Sequence, residues 1–369
     1  MMKKNLLDET YEKAIEVVNQ CSTQHGLYAS GGFKGYKGIW SRDTNITMIG
    51  ASTHDENKFK ETWKKSLEIL KKYQSDLGQI PNAVLNLDKK KRQVDFKSID
   101  SNLWFIIGHY FYKKRYYDSN LFERHEAAIK KALVWLHYRD FGENTILEQL
   151  PTTDWQDAFP NKYGATINTQ ALYCGVLNFV KDKKRIRKLK RIVNENAEDG
   201  LWNKNFYWAY RWKNHNKYKE IGNWFDSLGN LLAIVFGLAD KKRSKLILNY
   251  IKKHRIARPY PMKCIAPPIK PKEEYWEDYY YDAKATPNHY LNGGIWPFIG
   301  GVYVVALVKM KRFDEARKEL QLLAKANLKS QLFPEWIDPV NKKTYGNLQA
   351  WSAGTYIWAY NCLKKGKVL

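Results

Sequence analysis

The feature that most constrains the fold is an alternation between segments that carry no charge and segments that are lysine-rich, both at helical spacing. Trp224–Leu238 has no charged residue after Asp226, and Gly293–Leu307 has none at all, so each is suited to burial on every side. Turns at Ala239-Asp240-Lys241 and Lys311-Arg312-Phe313 lead from them into amphipathic segments, 241–253 and 313–325, with a basic face. Apolar periodicity and its breakers predict twelve helices, near 6–21, 43–53, 57–75, 100–116, 120–138, 165–181, 183–197, 225–239, 241–254, 294–310, 313–327 and 351–364. Strand-like alternation is nearly absent. Short connections make antiparallel neighbours, so the segments pair into six hairpins. The expected fold is all-α: an (α/α)6 barrel, a toroid with the uncharged helix of each hairpin inside and the basic one outside. No Pro/Ser-rich linker divides the chain, and the Pro259–Pro271 cluster reads as a rim loop, so residues 1–369 are expected to form one domain.

A hydrophobic fraction of 44% permits a large core. The longest apolar run, Leu231–Leu238, is far short of the roughly 18–20 residues of a membrane span, which predicts no membrane partner. Lys3 and Lys4 are not followed by an apolar stretch, so no secretory signal is expected. Cys21, Cys174, Cys264 and Cys362 are scattered without framework or metal spacing, as reduced thiols of a cytoplasmic protein would be. The net charge of +24 raises the question of nucleic acid. The basic runs, such as Lys89–Arg92 and Lys183–Arg191, are dispersed beside predicted helices and read as solvated faces. They predict weak, salt-dependent attraction and no specific nucleic-acid partner. Aromatics, 15% of residues with 14 Trp and 25 Tyr, gather instead with Asp, Glu, Asn, Gln and Gly. Flat rings for sugar faces and planar polar groups for hydroxyls are what a carbohydrate ligand requires.

The loops entering the uncharged helices repeat this chemistry. Trp40-Ser41-Arg42-Asp43 enters one, Ile99-Asp100-Ser101-Asn102-Leu103-Trp104 a second, and Thr153-Asp154-Trp155-Gln156-Asp157 precedes Gln170 in a third. Asn223-Trp224-Phe225-Asp226 opens a fourth and Asn292-Gly293-Gly294-Ile295-Trp296-Pro297 a fifth. Phe333-Pro334-Glu335-Trp336, followed by Gln349-Ala350-Trp351-Ser352, serves the sixth. In a toroid these loops converge on one funnel. The histidines show no pairing motif, and no H-E-x-x-H, P-loop, G-x-G-x-x-G or C-x-x-C is present, so no metal, nucleotide or other cofactor is expected.

Taken in order, these six segments resemble the six-hairpin glycosidases, over about residues 25–362. W-x-R-D at Trp40–Asp43, I-D-x-x-L-W at Ile99–Trp104 and the Trp155-Gln156-Asp157 stretch running on to Gln170-Ala171-Leu172-Tyr173 are similar to bacterial amylo-α-1,6-glucosidases. Asn292–Pro297 and Pro334–Asp338 are closer to neutral/alkaline invertases, and glucoamylases are more distant. The resemblance implies an inverting, exo-acting glycoside hydrolase, of the α-glucosidase type or an invertase-like sucrose hydrolase. It implies Asp157 as general acid, Glu335 as general base, and Arg42 and Asp43 gripping the terminal sugar. Trp40, Asp100, Asp154, Trp155, Gln170, Asn292, Gly293, Trp296, Trp336, Gln349 and Trp351 are the further candidates for substrate contact.

Other readings of the same residues stand beside these. Asp154 competes with Asp157 as the acid. Asp100 and Asp226 are equally suited to capping their helices. Arg42–Asp43 would serve as a structural ion pair, Gly293-Gly294 for close packing, and Trp351 for the core. A non-catalytic carbohydrate-binding protein, or a lyase or epimerase using the Tyr275–Tyr281 cluster as base, are the rivals of another class.

Overall fold

Helices form where the uncharged and the lysine-rich periodicities run. The computed structural model describes residues 5–32, 35–54, 57–195, 199–214, 218–329 and 332–368. Among these are thirteen α-helices: α1 (Leu6–Cys21), α2 (Ser41–Ala51), α3 (Lys60–Lys72), α4 (Asp100–Tyr116), α5 (Asn120–Arg124), α6 (Glu126–His137), α7 (Ile167–Phe179), α8 (Lys183–Asn194), α9 (Ser227–Val235), α10 (Lys241–Lys253), α11 (Pro297–Lys309), α12 (Phe313–Asn327) and α13 (Ala350–Lys365). No helix among the described residues is long and apolar enough to cross a membrane.

Burial divides the helices as charge patterning predicts. Every residue of α2 is buried, as are all but the last of α11 and most of α4, α7, α9 and α13. In the lysine-rich α3, α8 and α10 only one stripe is buried: Trp63, Ser66, Leu67 and Leu70 in α3, Leu189 and Val193 in α8, and Ser244, Ile247, Leu248 and Ile251 in α10. The buried helices touch in a closed cycle: α2 on α4, α4 on α7, α7 on α9, α9 on α11, α11 on α13, and α13 back on α2. Around them α1 packs on α13, α3 on α2 and α4, α6 on α4, α8 on α7, and α12 on α11. Side chains fill the interior of the cycle. Ile46, Ile49, Trp104, Leu228, Leu232, Phe236, Val302 and Trp358 meet there around a void of only about 10 Å³.

The helix starts are set by the loops before them. Asp226 caps α9, its Oδ1 accepting from the Gly229 N–H at 3.0 Å, so this helix begins at Ser227 rather than near 225. Thr166 caps α7, Pro297 occupies the first position of α11, and the helix expected over 120–138 is broken at His125 into α5 and α6. The His125 ring meets His109 of α4 at 2.9 Å, which fixes the break against the neighbouring helix.

Strands are more prominent than the sequence reading expects. Trp208–Asn214 and Tyr218–Asp226 form a long antiparallel hairpin, extended to four strands by Ala165–Thr166 and Ile265–Ala266. A three-stranded sheet joins Gly38–Trp40, Ala83–Leu85 and Gln93–Asp95, and Trp336–Ile337 pairs with Thr344–Tyr345. These strands brace the loops that enter the buried helices.

Closure of the cycle depends on glycine. A Cβ on Gly354 of α13 would stand 2.5 Å from the Cα of Thr47 in α2, and one on Gly50 of α2 would collide with the Gly354 carbonyl. Alanine gains about 1 kcal/mol over glycine in a helix interior, whereas overpacking a tight contact costs about 1–3 kcal/mol. The obstacle here is backbone, which cannot rotate away, so the clash wins. Gly354→Ala is therefore expected to lower the melting temperature by several degrees; a variant that melts at or above the parent would contradict this packing.

Candidate active site

A cleft opens where the loops entering α2, α7, α11 and α13 converge, bounded by the Trp40, Trp155, Trp296 and Trp351 side chains. Its floor and walls hold the carboxyls of Asp43, Asp157 and Glu335, the Arg42 guanidinium and the Gln349 amide. Ala29, Tyr36 and Tyr290 complete the lining. The room inside is about 70 Å³, enough for roughly five waters at about 10–15 Å³ each.

The aromatic wall is rigid. Trp155 meets Trp296 edge to face at 5.5 Å, Trp296 meets Trp351 in the same manner at 5.8 Å, and Trp351 stacks on Phe298 at 4.1 Å. The indole N–H groups of Trp40, Trp155 and Trp351 are buried and find no acceptor among the described residues. Three orphaned donors around one cleft are a standing demand for acceptor oxygens, since leaving each unmade costs about 1–3 kcal/mol.

Beneath the cleft lies a layer of buried charge. Arg42 is 4% exposed and donates from Nη1 to both oxygens of the fully buried Asp100, each at 3.0 Å. Its Nη2 stands 3.9 Å from the Asp157 carboxylate. Asp100 also accepts from the Ser98 hydroxyl. A second cluster centres on Lys162, fully buried, which pairs with Asp154 at 3.0 Å and Asp226 at 2.8 Å and donates to Gln156 Oε1 at 2.6 Å. Burial alone would pull this ammonium down, but Asp154 and Asp226 outweigh it and hold its pKa above the ordinary value. Asp154 also accepts from the Gln149 amide at 3.1 Å and the Gln156 N–H at 2.9 Å. Lys162 thus clamps both neighbours of Trp155 and sets the course of the loop up to Asp157.

Burial pushes the cleft carboxyls up. Asp43, in the first turn of α2, is raised to about 6 by burial, with Arg42 and its own backbone N–H opposing. Asp157 is also raised, chiefly by the protein around it and against the pull of Arg42. It remains 49% exposed because it faces the open cleft. Glu335 is raised to about 7, mainly by burial and further by Asp43 and Asp157, while a hydrogen bond from Tyr36 works the other way. That bond runs from the Tyr36 hydroxyl to Oε1 at 3.2 Å. Glu335 is fixed by its loop, its N–H donating to the Tyr345 carbonyl at 2.9 Å. Gly346, at φ +63°, packs so closely that a Cβ there would lie 2.7 Å from the Glu335 Cβ.

Of the residues expected at the site, Trp40, Arg42, Asp43, Trp155, Asp157, Trp296, Glu335, Gln349 and Trp351 come together in this cleft. Six others lie outside its lining. Asp100 and Asp154 belong to the buried charge layer, and Asp154, the alternative acid, is spent on Lys162. Gln170 bonds both backbone groups of Leu147, and Asn292 ties Ile269 and Ala285 into a loop. Gly293 adopts φ +92° beside Pro268. Trp336 stacks on Tyr345 at 4.0 Å, behind Glu335 in sequence but outside the cleft. Tyr36, Tyr290 and Lys162 were not anticipated. Tyr36 follows the Gly31-Gly32…Gly35 stretch and Tyr290 precedes Asn292, both signals of a loop near a site, whereas nothing marks Lys162 among 62 basic residues. Among the described residues no group of three or more His, Cys, Asp or Glu side chains is placed to hold a metal ion.

Sequence and fold comparisons bear on this geometry. The family model for alkaline and neutral invertases matches residues 219–366, and that for amylo-α-1,6-glucosidases matches residues 12–141. A mitochondrial neutral/alkaline invertase 1 of Oryza sativa subsp. japonica is 30% identical over 197 residues, covering 48% of this chain and 31% of that protein. The chloroplastic alkaline/neutral invertase E of Arabidopsis thaliana is 34% identical over 141 residues, 37% of this chain and 22% of that one. The chain spans about a third or less of the length of these relatives. Among solved structures, the GH63 mannosylglycerate hydrolase of Thermus thermophilus, in complex with Tris and D-glycerate, superposes with a TM-score of 0.69. It shares 14% identity and covers 95% of this chain and 99% of its own. A rhamnosidase of Klebsiella oxytoca with rhamnose bound gives 0.68 at 14% identity, covering 97% and 64%. The chain therefore resembles glycoside hydrolases of the six-hairpin kind, by sequence in an invertase-like and an amylo-α-1,6-glucosidase-like segment and by fold over nearly its whole length.

Proposed function

We propose that the chain is an inverting, exo-acting glycoside hydrolase that removes a terminal α-glucosyl unit, with Asp157 as general acid and Glu335 as general base. The observation that carries this is the meeting in one cleft of two carboxyls from segments far apart in sequence, beside Arg42, Asp43 and three indole donors without acceptors. On this reading the closed cycle of buried helices is the inner wall of an (α/α)6 barrel, and the chain is one catalytic domain. The four cysteines, all buried, fit a reducing, cytoplasmic setting.

The chemistry follows from the groups present. A protonated Asp157 gives its proton to the glycosidic oxygen as the bond to the anomeric carbon breaks. Glu335, as carboxylate, takes a proton from a water that attacks the opposite face of the sugar, and the configuration inverts. Inversion requires the two carboxyls to stand roughly 6.5–9.5 Å apart, with the water between. A raised pKa is what the acid needs, and Asp157 is raised; Glu335 is raised as well, so it serves as base only above about pH 7. Asp43 and Arg42 take the hydroxyls of the terminal ring, and the orphaned indole N–H groups supply further donors. The small cleft suits a single ring, hence attack at a chain end.

The amylo-α-1,6-glucosidase type and an invertase-like sucrose hydrolase share this glucosyl site and differ in the leaving group. The match of residues 219–366, which include Glu335, to the invertase model keeps sucrose as the second reading. Reducing-sugar release from isomaltose, panose, maltose, sucrose and trehalose separates the two. Release from isomaltose and panose is expected; release from sucrose alone selects the invertase reading, and release from none contradicts both.

Asp157→Asn is expected to abolish turnover of substrates with poor leaving groups while leaving their binding largely intact. Glu335→Gln is expected to abolish hydrolysis. General acid–base groups are typically worth 10²–10⁴-fold each, and full activity in either variant would remove the assignment.

The pH profile offers a separate check. Glu335 must be ionised to act, so kcat/KM should fall as pH drops through about 7. The Tyr36 hydroxyl favours the ionised form, so Tyr36→Phe should move this acidic limb to higher pH. A limb that stays in place, or moves to lower pH, would show that Glu335 is not the titrating base.

A further inference from the structure

The loop that presents Trp155 and Asp157 to the cleft also walls a second, much larger cavity. It encloses about 980 Å³, against about 70 Å³ for the cleft. Its sides come from Trp135 in the last turn of α6, Arg139, Phe141 and Glu148 in the loop that follows, Phe96, and Trp212 of the long hairpin. Gln149 and Thr153, also in its wall, belong to the loop that continues to Asp157.

Two observations bear on what it holds. Its rim carries apolar groups left in water: Phe141 is 67% exposed and Leu150, also in the lining, is 68% exposed. Exposed apolar groups gathered around a concavity mark a binding surface. The charged groups of the lining are of both signs, Lys97 and Arg139 against Glu148. The Arg139 guanidinium lies over the Trp135 ring at 4.3 Å with its Nε buried and without an acceptor. Glu148 is half-buried, its carboxyl pushed up by burial and by Asp140 and Asp199. Neither Arg139 nor Glu148 has an ion-pair partner among the described residues.

That combination selects a ligand class. An anion in this space would be repelled by Glu148, and a cation by Arg139 and Lys97. A neutral polyol meets both, because a hydroxyl accepts from a guanidinium and donates to a carboxyl. The ring faces of Phe141 and Trp212 suit the flat apolar faces of pyranose units. We propose that this cavity is a second carbohydrate-binding site, taking several units of a neutral polysaccharide chain outside the cleft. The inference rests on the reading of the chain as carbohydrate-active, but not on the reaction assigned to Asp157 and Glu335. Such a site would hold a long substrate close to the loop that bears the acid and raise its local concentration there.

Electrophoresis of the full chain in native gels cast with glycogen, dextran or inulin tests this. Retardation is expected in at least one gel, and equally for Trp351→Ala, whose indole lines the cleft and not this cavity. Phe141→Ala and Trp212→Ala should each weaken the apparent affinity about tenfold or more, with disaccharide hydrolysis unchanged. Phe141 is exposed, so its variant reads the site even where Trp212→Ala disturbs packing. Absence of retardation in every gel would overturn the proposal, as would retardation lost in Trp351→Ala and kept in Phe141→Ala. Retardation without hydrolysis by the unsubstituted protein would support the second site and count against the proposed reaction alone.

Discussion

The close crossing of α2 on α13 is the contact on which the rest of the molecule depends. These are the first and last members of the cycle of buried helices, and they meet backbone to backbone at Gly50, Thr47 and Gly354. Because they meet, Arg42 and Asp43 from the start of the chain share a cleft with Glu335, Gln349 and Trp351 from its end. A cycle left open by even one side chain's width would separate the two halves of the site. The loops only choose which residues reach the rim, and the helix contact decides that the rim is common to all of them.

Electrostatics then divides that rim into two layers with different tasks. Below, Arg42 with Asp100, and Lys162 with Asp154 and Asp226, are paired charges almost wholly removed from water. Removing one partner of such a group is strongly destabilising, by about 3–5 kcal/mol, because the other charge stays buried alone. Above, Asp43, Asp157 and Glu335 have no cation of their own beyond the shared Arg42 among the described residues, and burial lifts all three. The lower layer fixes geometry, and in the upper layer Asp43 and Glu335 are held at about 6 and about 7, where protons can move. A single arginine serves both, its Nη1 donating to both oxygens of Asp100 and its Nη2 directed toward Asp157.

Much of this was legible in the residues. The contrast between uncharged and lysine-rich helices predicted the hairpins, and α1 and α12 fall at the expected limits. Nine expected site residues meet because each lies in a loop entering a buried helix or in the first turn of that helix, and that position is readable from hydrophobic periodicity. Direction within a loop is not. Asp154 and Asp157 are three residues apart, yet one turns under to Lys162 and the other into the cleft. The difference arises from a lysine whose burial no local pattern announces. The long hairpin of Trp208–Asn214 and Tyr218–Asp226 was also missed. Its Trp and Tyr favour strands, but the interleaved Lys, Arg and Asn hide the alternation, and Asp226 at its end reads as the opening of a helix.

The most direct test of the account is the configuration of the sugar at the moment of release. Proton NMR of the anomeric region, recorded in the first minutes after the chain is mixed with an α-glucoside that it cleaves, reads this before mutarotation blurs it. An acid and a base placed across a water require the first product to be the β-anomer. Glucose appearing first as the α-anomer would mean retention through a covalent intermediate, and would contradict the roles given to Asp157 and Glu335.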